Sequence, residues 1–284
     1  MKKLVLMTAV LAFAACQSDS KNLEKKIDDL NRKVDSLLAG GGGGRGAAPP
    51  RPSRPEPDRA KTYAVPVDGD PFDGPADALV TIVKAYDYAC PYCQNVRETM
   101  DQLRQKYPQD VRVVFKQFVV HPQVATAGAL AFCAAAKQGK AVQMDALIWE
   151  KSFKAKNYDK DAAAVGAAAP QKCWDSDAGC PVVLSFAKEL QLNEAQFKTD
   201  MKSCQQQTQK DMRELQAFGV GATPSFFING RFVSGAMPID NFTVLVDEEL
   251  KKAKDKVAAG TPAAQYYQEW VVNKGLKTLE APKQ

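Results

Sequence analysis

Histidine is almost absent from this sequence. His121 is the one histidine in 284 residues, and Cys90–Cys93 is the one CxxC pair. A tetrahedral zinc site built from CxxC spacing needs a second pair of ligands, and the chain offers one histidine and no second CxxC. Strong charge of one sign is lacking too: the net formal charge is +5, with lysines interspersed among acids, and nothing resembles an RNA- or DNA-binding motif. No nucleic-acid partner is expected. The apolar run Leu4 to Ala15, broken only by Thr8, is too short for an ordinary membrane span. With 45% hydrophobic and 25% charged residues, the chain has room for one substantial domain plus appendages.

The chemistry that these absences leave standing is concentrated between Leu79 and Tyr107. An apolar run, Leu79 to Val83, leads into Cys90-Pro-Tyr-Cys93, and Gln94 to Tyr107 carries Val96, Met100, Leu103 and Tyr107 at helical spacing. A strand therefore delivers a cysteine pair to a helix N-terminus. There the unsatisfied N–H groups and the positive end of the helix dipole favour a thiolate on the first cysteine. Cys90 is the expected nucleophile and Cys93 the resolving thiol, with Pro91 in the first turn, where a missing N–H costs nothing. Such thiol chemistry needs no cofactor and no metal.

The rest of the chain reads in order. Residues 1–16 pair Lys2-Lys3 with the apolar run and end in Ala12-Phe-Ala-Ala-Cys16, which resembles a bacterial lipobox despite Phe13; Cys16 is the expected lipidation site and membrane anchor. Within residues 17–39, Leu23, Ile27, Leu30, Val34 and Leu37 form a short heptad seam, either a homo-oligomer contact through residues 20–38 or a solvated spacer helix. Residues 40–61, Gly-rich then Pro- and Arg-rich, read as a tether. A domain over 62–258 follows, with Tyr63–Val67 expected as an edge strand, Asp68–Asp77 as turns, Leu79–Tyr86 as the central strand and Val111–Val120 as a third strand parallel to it. Helices are expected at 124–137, 141–154, 159–168, 182–190 and 194–217, the last opened by a capping-box-like Asn193 and Gln196. Ser225–Ile228 and Arg231–Ser234 around Asn229-Gly230 read as a β-hairpin, and a helix from Asp240 closes the domain. Residues 259–284 form a C-terminal extension with a further helix expected from Tyr266 to Leu279, packed on the domain or serving a partner.

Taken together, VTIVKAYDYACPYC, the insertion containing AGALAFCAAAKQGKAVQMDALIWEKSF, and GVGATPSFFINGRFVSG resemble the DsbA-like branch of the thioredoxin superfamily. The resemblance spans about Tyr63 to Lys252. It implies an α/β thioredoxin fold interrupted by an all-helical insertion at about 122–217, acting on exported proteins that carry cysteines, outside the cytoplasm. It also implies a redox partner that recycles the CPYC pair. The family's second signature falls on Thr223-Pro224, where the proline is cis and lies against the cysteines. The expected activity is thiol–disulfide exchange, as a dithiol oxidase, with an oligomeric isomerase or reductase, or a peptide-holding protein with structural cysteines, as alternatives. Inner versus outer membrane stays open.

Two positions depart from that family's pattern. Lys84 stands where relatives often carry an acid, and Tyr92 stands where the strongest oxidants carry histidine, so Cys90 is expected to be less acidic than theirs. Asp87 matches a commonly acidic position beside the site; it and Lys116 either support the cysteines or are surface charges. His121 either lies near the cysteines or only opens a helix before Pro122. Of the seven cysteines, Cys133, Cys173, Cys180 and Cys204 remain after Cys16, Cys90 and Cys93, and four allow three pairings. The expected pairs are Cys173–Cys180, closing a turn, and Cys133–Cys204, bridging two helices, both structural.

Overall fold

The computed structural model describes residues 57–163 and 172–279. Cys16, the heptads over 20–38 and most of the tether lie outside the described residues, as does the expected helix beyond Ala163.

Among the described residues five strands form one sheet, in the order β1 (Phe72–Asp73), β3 (Val111–Gln117), β2 (Val80–Tyr86), β4 (Ser225–Ile228) and β5 (Arg231–Ser234). Its centre is β2 (Val80–Tyr86), whose seven residues are all buried, as a strand covered on both faces must be. β2 runs parallel to β3 (Val111–Gln117), in register from Val80↔Val111 to Tyr86↔Gln117. On its other side β2 is antiparallel to β4 (Ser225–Ile228), which turns into β5 (Arg231–Ser234). The turn residues Asn229 and Gly230 both have positive φ, 43° and 84°, which suits a two-residue hairpin turn. Gly230 is needed there for space as well, because a Cβ would lie 2.6 Å from the Tyr63 carbonyl oxygen.

The crossover from β2 to β3 is helical but not continuous. α1 (Pro91–Asn95) ends at Val96, and α2 (Arg97–Lys106) starts again from it. Met100 and Leu103 press onto one face of the sheet with Ile82, Phe226 and Phe242, a core in which each large side chain contributes about 2 to 3 kcal/mol on burial. Phe242 belongs to α8 (Ile239–Ala258), which closes the same face.

The insertion comprises α3 (Pro122–Lys137), α4 (Ala141–Leu147) running on as a wider π turn (Ile148–Phe153), α5 (Tyr158–Ala163), α6 (Pro181–Glu189) and α7 (Glu194–Ala217). Ala-rich α3 packs closely on its neighbours because its buried face carries Ala129, Ala131, Ala134 and Ala135 around Leu130 and Phe132. At the head of α7 the Asn193 side chain accepts the Gln196 N–H at 3.0 Å, while the Gln196 amide turns forward to Asp200 instead of closing a reciprocal box.

Three expectations need correction. Tyr63–Val67 is not an edge strand: the Tyr63 N–H donates to the Gly230 carbonyl, and Tyr63 makes a single bridge with Leu276. Pro66 has no N–H to offer a ladder. The edge is instead the two-residue β1 (Phe72–Asp73), inside the stretch expected to be turns. β3 stops at Gln117, short of Val120, because the Val120 and His121 N–H groups leave the sheet for the Asp87 carboxylate. The C-terminal helix is also shorter than expected. Only Ala263–Gln265 and Tyr267–Val272 are helical, and the chain then lies on the domain: Tyr267 Oη donates to the Val65 carbonyl at 2.9 Å and the Leu279 N–H to that of Ala217 at 3.0 Å.

Candidate active site

Cys90 is the N-cap of α1 and Pro91 its first residue, so the CPYC motif sits on the first helical turn at the end of the central strand. Both cysteines are free thiols with little exposure, 4% for Cys90 and 1% for Cys93, while Tyr92 between them is 64% exposed. The turn is held by the Cys93 N–H donating to the Cys90 carbonyl at 3.1 Å and the Gln94 N–H to the same oxygen at 3.2 Å.

Thr223-Pro224 is a cis peptide and lies across the motif. When protonated, the Cys90 thiol donates to the Thr223 carbonyl at 3.3 Å. The two thiols have opposite acidities. Cys90 is held down to about 5, chiefly by a hydrogen bond from the Cys93 thiol, against the cost of burial, with help from the Thr223 side chain and the Cys93 and Tyr92 N–H groups. Burial pushes Cys93 far above the ordinary thiol range, and its hydrogen bond to Cys90 adds to that. One sulfur is thus a thiolate at neutral pH and its partner a thiol able to donate to it.

Asp87 is fully buried and ties together the two loops at this end of the sheet. Its carboxylate accepts N–H groups from Ala89 at 2.6 Å, Val120 at 2.6 Å and His121 at 2.8 Å, and the His121 Nδ1 lies 3.3 Å from Asp87 Oδ1. His121 is also the N-cap of α3, directly before Pro122, as the helix-opening reading expects. Lys116 is buried away from the cysteines in a cluster of carboxylates, neither a surface charge nor a neighbour of the thiols.

Beneath the motif lies a polar chain that no sequence pattern announces. The Tyr88 hydroxyl donates to Asp145 at 2.8 Å, Trp149 Nε1 reaches the same carboxylate at 3.2 Å, and the Tyr86 and Tyr88 hydroxyls are 3.0 Å apart. Lys84 is 4% exposed, its ammonium nitrogen 4.3 Å from the Tyr86 ring centroid and 4.9 Å from that of Phe115. Burial pushes its amine below the ordinary lysine range, against the pull of Asp145 and Cys93. Asp145 comes from the insertion, so the insertion supplies the carboxylate under the cysteines.

The remaining cysteines are joined as Cys133–Cys204, with Cα atoms 6.0 Å apart, and Cys173–Cys180, 4.9 Å apart. The first ties α3 to α7 and the second closes the turn before α6.

Comparison with known proteins places this geometry. Two curated relatives are Na(+)/H(+) antiporters NhaA: that of Herminiimonas arsenicoxydans is 26% identical over 180 residues, covering 63% of this chain and 25% of that protein. NhaA 3 of Salinispora tropica is 27% identical over 204 residues, covering 69% and 27%. The chain spans about a quarter of the length of these relatives. Among the described residues no helix is long and apolar enough to cross a membrane. The solved structure of alpha-DsbA1 from Wolbachia pipientis has the same fold, with a TM-score of 0.54 at 17% identity, covering 68% of this chain and 96% of that one. A family model described as thioredoxin matches residues 67–248, from ahead of β1 through the CPYC turn, the insertion and the hairpin into α8. With the sheet order, the helix-capping cysteine pair and the cis-proline all inside that span, the chain belongs to the thioredoxin family.

Proposed function

We propose that this protein is a thiol–disulfide oxidoreductase that exchanges disulfides with exported proteins through Cys90 and Cys93, chiefly as a dithiol oxidase. The observation that carries the reading is the split pair: a Cys90 thiol held down to about 5 beside a Cys93 thiol pushed far up, both against the cis Thr223-Pro224. In the oxidising direction a substrate thiolate attacks Cys90 of the Cys90–Cys93 disulfide, and Cys93 leaves as a thiolate that takes up a proton. A second substrate thiolate then attacks the substrate sulfur of the mixed disulfide, and Cys90 leaves as a thiolate. Cys90 is the better leaving group for that last step because its thiolate is the stable form. Run in reverse, Cys90 attacks a substrate disulfide and Cys93 resolves it. Exposed Tyr92 and the Thr223 backbone flank the sulfur that a substrate strand must reach.

A value of about 5 for Cys90 lies between the roughly 3.5 of the strong oxidant DsbA and the roughly 7 of thioredoxin. A tyrosine at position 92 supplies no positive charge to lower it further. The wider setting belongs to the same proposal: anchoring through a lipid on Cys16, exposure outside the cytoplasm, and recycling of the CPYC pair by a separate redox partner. Assembly through residues 20–38 favours the isomerase alternative, since several active sites facing one misfolded chain promote reshuffling.

Equilibration of the full chain with glutathione tests direction. A potential near the roughly −120 mV of DsbA supports an oxidase, and one near the roughly −270 mV of thioredoxin supports a reductase or isomerase. Cys90→Ala tests the reading itself: it removes all exchange with a reduced or scrambled protein substrate if Cys90 is the nucleophile. Unchanged protein-holding activity alongside no wild-type exchange activity refutes it.

A further inference from the structure

A cleft of about 920 Å3 lies between the β1 edge of the sheet and the insertion, apart from the cysteines of the CPYC motif. Two of its lining carboxylates, Asp70 and Asp211, hold the fully buried Lys116 ammonium behind them at 2.6 Å and 3.4 Å, and Glu214 completes that cluster at 2.7 Å. Three acids, Asp70, Asp73 and Asp211, line the cleft against one cation, Lys137, so its floor is acidic. The cations and acids at the rim are already engaged with each other, Lys137 with Asp200 at 3.0 Å and Asp73 with Arg104 at 3.4 Å.

Two buried polar atoms facing this cleft have no hydrogen-bond partner among the described residues, Gln117 Oε1 and Thr208 Oγ1, on residues 3% and 7% exposed. Which end of the Gln117 amide is free follows from the chain behind it. Tyr88 gives its hydroxyl hydrogen to Asp145, so Tyr86 must give its own to Tyr88. The Tyr86 oxygen then accepts from Gln117 Nε2 at 2.6 Å, and the carbonyl is left unpaired. A buried carbonyl without a donor is a cost that native structures rarely leave uncompensated. The walls add aromatic surface: Phe115, Phe132 and Phe72, the last 41% exposed. An acidic floor, an unpaired acceptor and aromatic walls together suit a ligand that is positively charged, rich in N–H donors and partly apolar.

We propose that this cleft binds an organic cation, an alkylammonium or guanidinium group that donates to Gln117 Oε1, is balanced by the Asp70 and Asp211 carboxylates, and lays its alkyl stem on Phe72. The group is carried either by a free small molecule or by a lysine or arginine side chain of a polypeptide. Neither Phe72 nor Thr208 belongs to the thiol site, so the proposal stands independently of the redox reading.

Calorimetric titration of the full chain near neutral pH with agmatine, with the blocked tripeptide acetyl-Gly-Arg-Gly-amide and with uncharged butylurea decides it. Agmatine, the tripeptide or both bind at least tenfold more tightly than butylurea; agmatine alone identifies a free cation, and the tripeptide alone or both a site that admits a side chain. Phe72→Ala and Thr208→Val each weaken binding several-fold while exchange at the CPYC pair is unchanged. Affinity also falls roughly tenfold towards pH 5, because burial pushes Asp211 up to about 6 against the pull of Lys116, and only about a tenth of it stays ionised one unit lower. The other charges at the site are Asp70, Asp73 and Lys137 in its lining, with Lys116, Glu214 and Lys210 behind them and Arg104 and Asp200 at the rim; Asp70, which burial also raises, reinforces that fall. The absence of binding by both cationic probes at millimolar concentration, equal binding of butylurea, or affinities that neither variant moves would each overturn the proposal.

Discussion

The split between the two thiols makes a quantitative claim about the reduction potential and its dependence on pH. Reducing the Cys90–Cys93 disulfide takes two electrons, and the number of protons taken up depends on which sulfurs end as thiols. Each proton taken up with the electron pair lowers the potential by about 30 mV per pH unit, the value of a tenfold change for a two-electron couple. With Cys90 held down to about 5 and Cys93 pushed far above the ordinary range, the reduced form at neutral pH holds one proton, on Cys93. The potential should therefore fall by about 30 mV per unit from about pH 6 to about pH 9, and by about 59 mV per unit only below about pH 5, where Cys90 also becomes a thiol. No second break is expected towards alkaline pH, since Cys93 keeps its proton. The assay is equilibration with glutathione buffers at fixed pH, acid quenching, alkylation and counting of modified thiols by mass. A slope of about 59 mV per unit through neutrality would mean that Cys90 is protonated there, and the argument from the helix N-terminus, Cys93 and Thr223 would fail. Tyr92→His should move the break to lower pH and raise the neutral potential by about 30 mV for each unit by which the Cys90 pKa falls.

Three further outcomes follow from the packing. Removing the Cys133–Cys204 disulfide, with a sequence separation of 71, should cost about 4 kcal/mol on the loop-entropy scale, against about 2.5 kcal/mol for Cys173–Cys180, with a separation of 7; guanidinium unfolding of the two double alanine variants gives the comparison. Asp87→Asn replaces one of the oxygens that hold the Ala89, Val120 and His121 N–H groups by a donor, so it should lose roughly 1 to 3 kcal/mol in urea unfolding and slow exchange at Cys90 as the loop before it loosens. Asp161 is pushed up to about 6 by burial, although the Val182 and Val183 N–H groups pull the other way. Its folded value exceeds the unfolded one, so its contribution to stability is fully present below the unfolded carboxylate range and is lost as pH rises through about 6; Asp161→Asn should flatten that part of the stability profile measured by denaturant midpoint between about pH 4 and about pH 7.

What the sequence made legible was local. β2, the CPYC turn and the Asn229-Gly230 hairpin are written in contiguous residues, and the 24-residue helix Glu194–Ala217 carries both its cap and its period within itself. The thioredoxin fold with its helical insertion follows from those pieces in that order. The failures are pairings whose partner lies far along the chain. Tyr63–Val67 has the composition of a strand, but its neighbours are the hairpin turn and Leu276, while two residues at Phe72–Asp73 make an edge too short for any periodicity to show. Polar groups obey the same rule more strictly, because burial of a charge is decided by what meets it in space. Lys84 and Lys116 look alike in sequence, each a lysine within an apolar strand. One lies on aromatic rings with its charge disfavoured; for the other, Asp211 and Asp70 outweigh the cost of burial and hold its charge in place.

The insertion therefore does more than cover one end of the sheet. Through Asp145 it places a carboxylate under Tyr88 and within electrostatic reach of Lys84, and through Asp211 it accepts both the Lys116 ammonium and the Gln117 N–H at the end of β3. Each of these contacts fastens a strand end next to the active-site loops, and each depends on an insertion helix being seated. A change that unseats α4 or α7 should therefore alter the thiol chemistry without touching a cysteine, and Asp145→Ala is the sharpest such change. It removes the acceptor of both Tyr88 and Trp149 and leaves two buried donors unpaired, at a cost of roughly 2 to 6 kcal/mol, the sum of two such losses. It also takes a negative neighbour from Lys84, so the Lys84 amine should fall further below the lysine range. If the variant folds with the wild-type break in the potential–pH profile and the wild-type exchange rate, the insertion is only a scaffold, and the coupling drawn here between the helices and the cysteines is wrong.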